Sequence, residues 1–306
     1  MYACVAVSPL SRAWLQMHLC VVLWGFTGIL GKLITLEAMS LVWWRMVFVA
    51  GSLLLWRRFW AGLSSMGARS LAICAGTGVL LTLHWVTFYA SVKLANASVA
   101  ATCMALTPVL IALLEPAIAR RAVDVRELLF GVAVLPGVAL VVGGTPGGMR
   151  LGVGVGVLSA AFIAVVSCLH KRFAANLSAL AVTGVEMATG VLFLPLLAPL
   201  VRPGATLFAT PGPRDLWLLL ALAFACTLLP YVLSLVALRR LSAFGSALAV
   251  NLEPVYTILL AMLFFGEQRE LSLSFYVGAA ILVGVVFSHP LLARPKAAAA
   301  PHDLPA

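Results

Sequence analysis

Glu253 is the sharpest chemical group in this sequence: a carboxylate near the middle of an apolar run, followed directly by Pro254. A charge at such a depth costs about 2.5–3.5 kcal/mol if it faces lipid, so the group must face protein or water. Two functions fit it, a ligand for the ammonium of a solute or a carrier of a proton. A protonated carboxyl bonded to a backbone carbonyl freed by Pro254 is the packing alternative. Asn251 lies two residues earlier; the proline can bring its amide to the same side, or it can serve a helix-to-helix hydrogen bond. His84 stands in another apolar run with Phe88 one turn on, a pairing that suits solute contact or packing. Trp85 and Tyr231 sit too deep for interfacial anchors and point to an interior wall. Trp24, beside Gly25, suits a cavity, whereas Trp43 and Trp44 near a segment end suit an interfacial belt. Glu186 is a second intramembrane carboxylate, for which Arg45 or His170 would be a partner on charge grounds.

The elements that must position these groups are membrane helices. Of the 306 residues, 63% are hydrophobic and 10% charged, well below the charge of a soluble domain. Runs of about 20 apolar residues are predicted at 13–32, 40–58, 69–92, 97–119, 127–143, 151–170, 178–200, 215–238, 243–265 and 273–292. The fold class is therefore an all-α polytopic membrane protein of ten transmembrane helices. The basic residues come as short pairs between apolar runs rather than on one face, which speaks for a membrane surface and against nucleic acid. With the N-terminus inside, 13 Lys and Arg fall on the cytoplasmic side and 6 on the other, so both termini are expected in the cytoplasm of a multi-pass cell-membrane protein. No removed signal peptide is expected at the N-terminus. The tail at 294–306 reads as a disordered cytoplasmic segment.

Residues 97–108 and 243–254 align without a gap at a shift of 146. Each has small residues at every fourth position, a stripe that admits another helix backbone closely. Each ends in a proline, Pro108 or Pro254, that breaks the helix locally. The same shift brings His84 onto Pro230, Trp85 onto Tyr231 and Phe88 onto Ser234. A shift of five segments is odd, so the copies cross in opposite directions. This predicts a 5+5 inverted repeat, 1–146 and 147–293, with solute held between the units.

Three stretches resemble the EamA type of the drug/metabolite transporter superfamily: Trp24-Gly25-Phe26, the run from Leu83-His84-Trp85 to Pro108, and the run from Leu229-Pro230-Tyr231 through Asn251-Leu252-Glu253-Pro254 to Phe265-Gly266-Glu267. Gly278 and Gly284 continue the last. The resemblance implies a central cavity and movement of small metabolites, often export of amino acids or their relatives. The first half departs from the pattern, since Arg120 and Arg121 stand where the shift would bring Gly266 and Glu267, and no role passes to Glu115.

The reading is a secondary transporter, in the exporting direction, of a small polar or zwitterionic metabolite, with Trp24, His84, Trp85, Phe88, Tyr231, Asn251 and Glu253 as solute-binding candidates. Its partners are the solute, the lipid bilayer and a coupling proton; no feature bears on oligomeric state. A membrane-embedded enzyme acting on a lipid is the alternative. It would need an activated nucleophile, a metal cluster or paired acids. Asp124, Asp215 and Asp303 fall in loops or the tail, the five histidines are far apart, and no GxSxG or GxxxxGK[ST] occurs. The six cysteines form neither a disulfide framework nor a metal site. Catalytic residues, cofactors and metal ligands are accordingly not assigned. Lys93 and Arg239, equivalent under the shift, read as snorkelling anchors; Gly76, Gly78, Gly152, Gly154 and Gly156 read as packing positions.

Overall fold

The computed structural model describes residues 9–119, 125–174, 176–201, 206–241, 249–250 and 252–292. All regular structure in them is helical. The helices are α1 (Pro9–Leu33), α2 (Ala38–Leu54), α3 (Arg57–Ser64), α4 (Ala68–Leu94), α5 (Ala97–Met104), α6 (Thr107–Ala119) and α7 (Val125–Gly144). They continue as α8 (Arg150–Leu169), α9 (Ala179–Val201), α10 (Pro213–Ala223), α11 (Leu229–Leu238), α12 (Leu252–Phe265) and α13 (Leu273–Leu292). Helix occupies every one of the ten predicted stretches. Among the described residues, six spans are long and apolar enough to cross a membrane, or seven if a bent pair is one span. Among the described residues, Val132–Gly144, Leu252–Phe265 and Leu273–Val285 are shorter apolar helices. Asn251 and the tail at 294–306 lie outside the described residues.

Two helices depart from the sequence reading. The second predicted segment ends at Leu54, and the chain turns by 88° into α3. There Phe59 is buried against Gly184, while Trp56 and Trp60 stay exposed. The fourth is broken at Ala105 and Leu106. Pro108 lacks the N–H that would reach Met104, and its ring crowds that carbonyl. The chain tightens instead through Ala105 N–H to Thr102 O and Leu106 N–H to Cys103 O, both 3.1 Å, and Leu110 N–H to Leu106 O restarts the helix. Pro108 then sits at the second position of α6, where its missing donor costs nothing.

The helices repeat as well as the residues. The shift of 146 carries α1 onto α8, α2 onto α9, α4 onto α10 and α11, α5 and α6 onto the region of α12, and α7 onto α13. Packing follows the same exchange: α4 lies on α8 as α1 lies on α11, and α5 and α6 lie on α8 as α12 lies on α1. Pairs α2–α9, α5–α12 and α7–α13 meet between the two matched stretches. Small residues permit this closeness. Every residue of α5 is buried, and a Cβ on Gly278 would stand 2.7 Å from Gly137 O. Gly78, Gly152 and Gly156 are packing positions as expected, but nothing lies within 4 Å of a Cβ at Gly76 or Gly154, so those two are not.

One end of the bundle is tied across the matched stretches by polar contacts. Lys32 Nζ donates to Glu267 Oε1 at 2.8 Å, and Asn96 Nδ2 to Glu270 Oε2 at 2.9 Å. Thr35 gives its N–H (3.2 Å) and hydroxyl (2.5 Å) to Asp215. Glu267, fully buried, also accepts from Ala97 N–H at 3.2 Å and Ser98 N–H at 2.9 Å. It thereby caps the N-terminus of α5, where the helix dipole favours an anion. Lys93 and Arg239 do more than reach the interface: Lys93 donates to Ile34 O and Arg239 to Leu177 O, each clasping the loop after the first helix of its own half.

Candidate functional site

A cavity of about 160 Å³ opens inside the bundle, walled by α1, α2, α4, α5, α6, α8, α11 and α12. Six of the seven candidates from the sequence, Trp24, His84, Trp85, Phe88, Tyr231 and Glu253, line it together. The seventh, Asn251, is outside the described residues. α4 contributes more of the wall than any other helix, because His84, Trp85, Phe88 and Tyr89 recur at helical spacing and stay buried.

Arg45, on α2, is the strongest feature of the wall and fully buried. Its Nε donates to Thr227 Oγ1 at 2.5 Å and Nη1 to the Tyr89 hydroxyl at 2.9 Å. Its guanidinium lies 3.9 Å from the centre of the Trp85 ring. A buried cation on an aromatic face is worth about 2 kcal/mol when desolvated, which with two charge-assisted bonds holds Arg45 in place without an anion. Among the described residues Nη2 has no hydrogen-bond partner, and no carboxylate pairs with the guanidinium. Glu253 lines the same cavity, half-buried, and likewise makes no hydrogen bond or ion pair among the described residues. A cation and a carboxyl that are not in salt-bridge contact, though each feels the other's charge, therefore share one aromatic chamber.

His84 is oriented by Ser159. The Ser159 hydroxyl donates to His84 O at 2.8 Å, so toward the ring its oxygen can only accept. Nδ1 lies 2.9 Å from that hydroxyl and 3.1 Å from Ser159 O. Both neighbours being acceptors, Nδ1 carries the hydrogen and Nε2 is left as an acceptor edge.

Behind the Tyr231 wall sits Glu186, with no solvent exposure. It accepts from the Thr77 hydroxyl, from the Tyr231 hydroxyl and from His170 Nε2, each at 2.6 Å. Of the two partners considered from the sequence, His170 is the one in place. π-helical turns carry this region: His170 opens the turn His170–Ala174, and Thr227 lies in the turn Phe224–Leu228 ahead of Pro230. Such turns recur at functional sites because they re-aim side chains out of the regular register. The half-buried Trp43 and Trp44 direct their indole N–H groups to Val191 O at 3.2 Å and Ala209 O at 2.8 Å. The five described cysteines are buried and form no disulfide with one another. Among the described residues no three His, Cys, Asp or Glu side chains gather as a metal-holding group.

The chain matches the model of the EamA-like transporter family twice, over residues 12–143 and 150–288. It belongs to that family. The EamA match runs as two repeats and covers most of the chain, and the family's members are transporters. No curated protein matches this sequence. One solved crystal structure is similar over 92% of this chain and 98% of its own, with a TM-score of 0.61 at 20% identity. At that identity the likeness shows the shared fold alone.

Arg45, Tyr89 and Thr227 as one cluster escaped the sequence reading. The available signal was Arg45 itself, the one base placed inside an apolar segment rather than at its end. What it stacks on is 40 residues away on another helix, where no periodicity reaches.

Proposed function

We propose that this EamA-family chain is a secondary transporter that exports a small zwitterionic metabolite, an amino acid or close relative, across the cell membrane. The observation that carries the reading is that Arg45 and Glu253, opposite in charge and not in salt-bridge contact, line one aromatic-walled cavity. A carboxylate of the solute meets Nη2 of Arg45, its ammonium meets Glu253, and Trp24, Trp85 and Phe88 cover its apolar part. A solute with both charges removes the unpaired state of both walls at once, whereas an amine or an acid alone leaves one charge unsatisfied. Ten spans arranged as inverted units 1–146 and 147–293 rock about this site. The polar ties around Glu267 and Asp215 close one end in the present conformation, and the excess of base on the opposite face makes the closed end the outer one.

Competition in reconstituted vesicles tests the specificity. Leucine should inhibit uptake of labelled leucine at concentrations at least about tenfold below those needed by isopentylamine or 4-methylpentanoate, since each lost charge-assisted pairing is worth about 1.5–3 kcal/mol. Equal inhibition by either single-charge analogue would remove the two-ended recognition.

A further inference from the structure

The solute site leaves one polar group unused, the cluster around Glu186. Its carboxyl is sealed from solvent and receives three donors from three other elements: Thr77 of α4, His170 of the π turn and Tyr231 of α11. Three donors fill most of the roughly four acceptor sites of one carboxylate, so this is a built site rather than a stray buried acid. His170 and Tyr231 line the cavity, while Glu186 and Thr77 stand behind it. The imidazole is thus the link between the sealed carboxylate and the cavity.

The ring's two nitrogens divide the work. Nε2–H is directed to Glu186 Oε1, and Nδ1 has no partner among the described residues. Neutral imidazole beside the carboxylate gives the pair a net charge of −1. A proton arriving at Nδ1 makes an imidazolium–carboxylate pair of net charge 0, and its departure restores the first state with no other bond changed. Tyr231 OH, 3.3 Å from His170 Nε2 and 2.6 Å from Glu186 Oε2, stays bonded to the carboxylate in both states.

The charges facing this pair are few. Cys74 faces Glu186 from α4. The Lys171 ammonium, next in the π turn, is engaged by Leu238 O at 3.1 Å and Leu241 O at 2.8 Å. Across the cavity stand Arg45 of α2 and Glu253 of α12. Arg45 communicates with the pair through rings, lying on Trp85, whose ring meets Tyr231 edge-on at 6.4 Å. A change of one charge at His170 is therefore felt where the solute carboxylate binds.

We propose that the His170–Glu186 pair is the coupling-proton site of this transporter, with Nδ1 of His170 as the atom that takes and releases the proton against solute. The proposal rests on the carrier reading above, with Glu253 left to the solute. Two measurements test it on the full chain in lipid bilayers. Nitrogen NMR of histidine-labelled protein should show one ring, absent from His170→Gln, whose Nδ1 gains a proton when the proton gradient is imposed and whose signal moves in Glu186→Gln. A His170 ring that keeps one protonation state with and without the gradient overturns the proposal without any variant having to fold. In vesicles clamped at zero membrane potential, an outward-directed tenfold proton gradient, acid inside, should concentrate leucine about tenfold in the wild type, as one-for-one exchange requires. Glu186→Gln should equilibrate leucine by counterflow but not concentrate it. Concentration that survives in Glu186→Gln, or wild-type counterflow indifferent to the gradient, overturns the coupling site and leaves the carrier. Absence of wild-type leucine counterflow would instead sink the solute reading, and the nitrogen NMR alone then decides the proton site.

Discussion

Replacing Glu267 by Gln isolates the polar tie that joins the two matched stretches, because the amide keeps the shape and removes the charge. In the wild type Oε1 takes Lys32 Nζ at 2.8 Å and Ala97 N–H at 3.2 Å, and Oε2 takes Ser98 N–H at 2.9 Å. Gln has one acceptor oxygen, so one of these positions becomes a donor facing a donor. Losing one bond to a charged group costs about 1.5–3 kcal/mol. Loss of the anion at the α5 N-terminus adds about 0.3–1 kcal/mol. The Lys32 pair adds at most about 1 kcal/mol, since its side chain is 30% exposed and partly screened. The sum is about 3 kcal/mol, equivalent to a fall in Tm of roughly 5–10 °C for a chain of this size. The assay is built in: the described cysteines are buried and form no disulfide with one another, so a thiol-reactive fluorophore lights up as the bundle opens. Glu270→Gln, at a carboxylate 39% exposed, should lower Tm by no more than about a third as much. A Glu267→Gln shift indistinguishable from that of Glu270→Gln would refute the capping argument.

Other outcomes follow from the same geometry. Glu253→Gln should lower leucine flux at least about tenfold with normal insertion and Tm; wild-type flux in reconstituted vesicles would remove the role of Glu253. Arg45→Lys keeps the charge but loses the fork that bonds Thr227 and Tyr89 together, so the KM for leucine should rise about tenfold or more, and an unchanged KM would contradict a guanidinium-specific site. A Cβ on Gly144 would run into the backbone N of Phe275 and, at 2.7 Å, Ser274 Oγ. Gly144→Ala should therefore destabilise by about 1–3 kcal/mol, whereas Gly76→Ala, in open space, should be neutral or stabilising; equal effects would refute the α7–α13 packing.

The helices were legible because apolar length and proline chemistry are local properties of the chain. Each of the ten stretches holds helix among its described residues, and the break before Pro108 follows from its missing donor. The bend after Leu54 was not, since Arg57 and Arg58 look like the end of a span and give no sign that Phe59 returns to pack on Gly184. In the site, Glu253, His84, Trp85 and Tyr231 stood out as polar or aromatic groups at depth. Their partners did not: Arg45 meets Tyr89 and Thr227, and Glu186 meets Thr77, across separations that only tertiary packing closes. Glu267 is the plainest case. Its Gly-Glu setting was recognisable, but its work at the N-terminus of α5, 169 residues earlier, is invisible to any sequence period.

The most direct test of two-ended solute recognition is a structure of the wild-type chain in lipid with leucine at a concentration that saturates its transport. The account predicts density in the Trp85 cavity, with the carboxylate on Nη2 of Arg45 and the ammonium toward Glu253. Leucine bound elsewhere, or this cavity empty of it while transport is saturated, would contradict it.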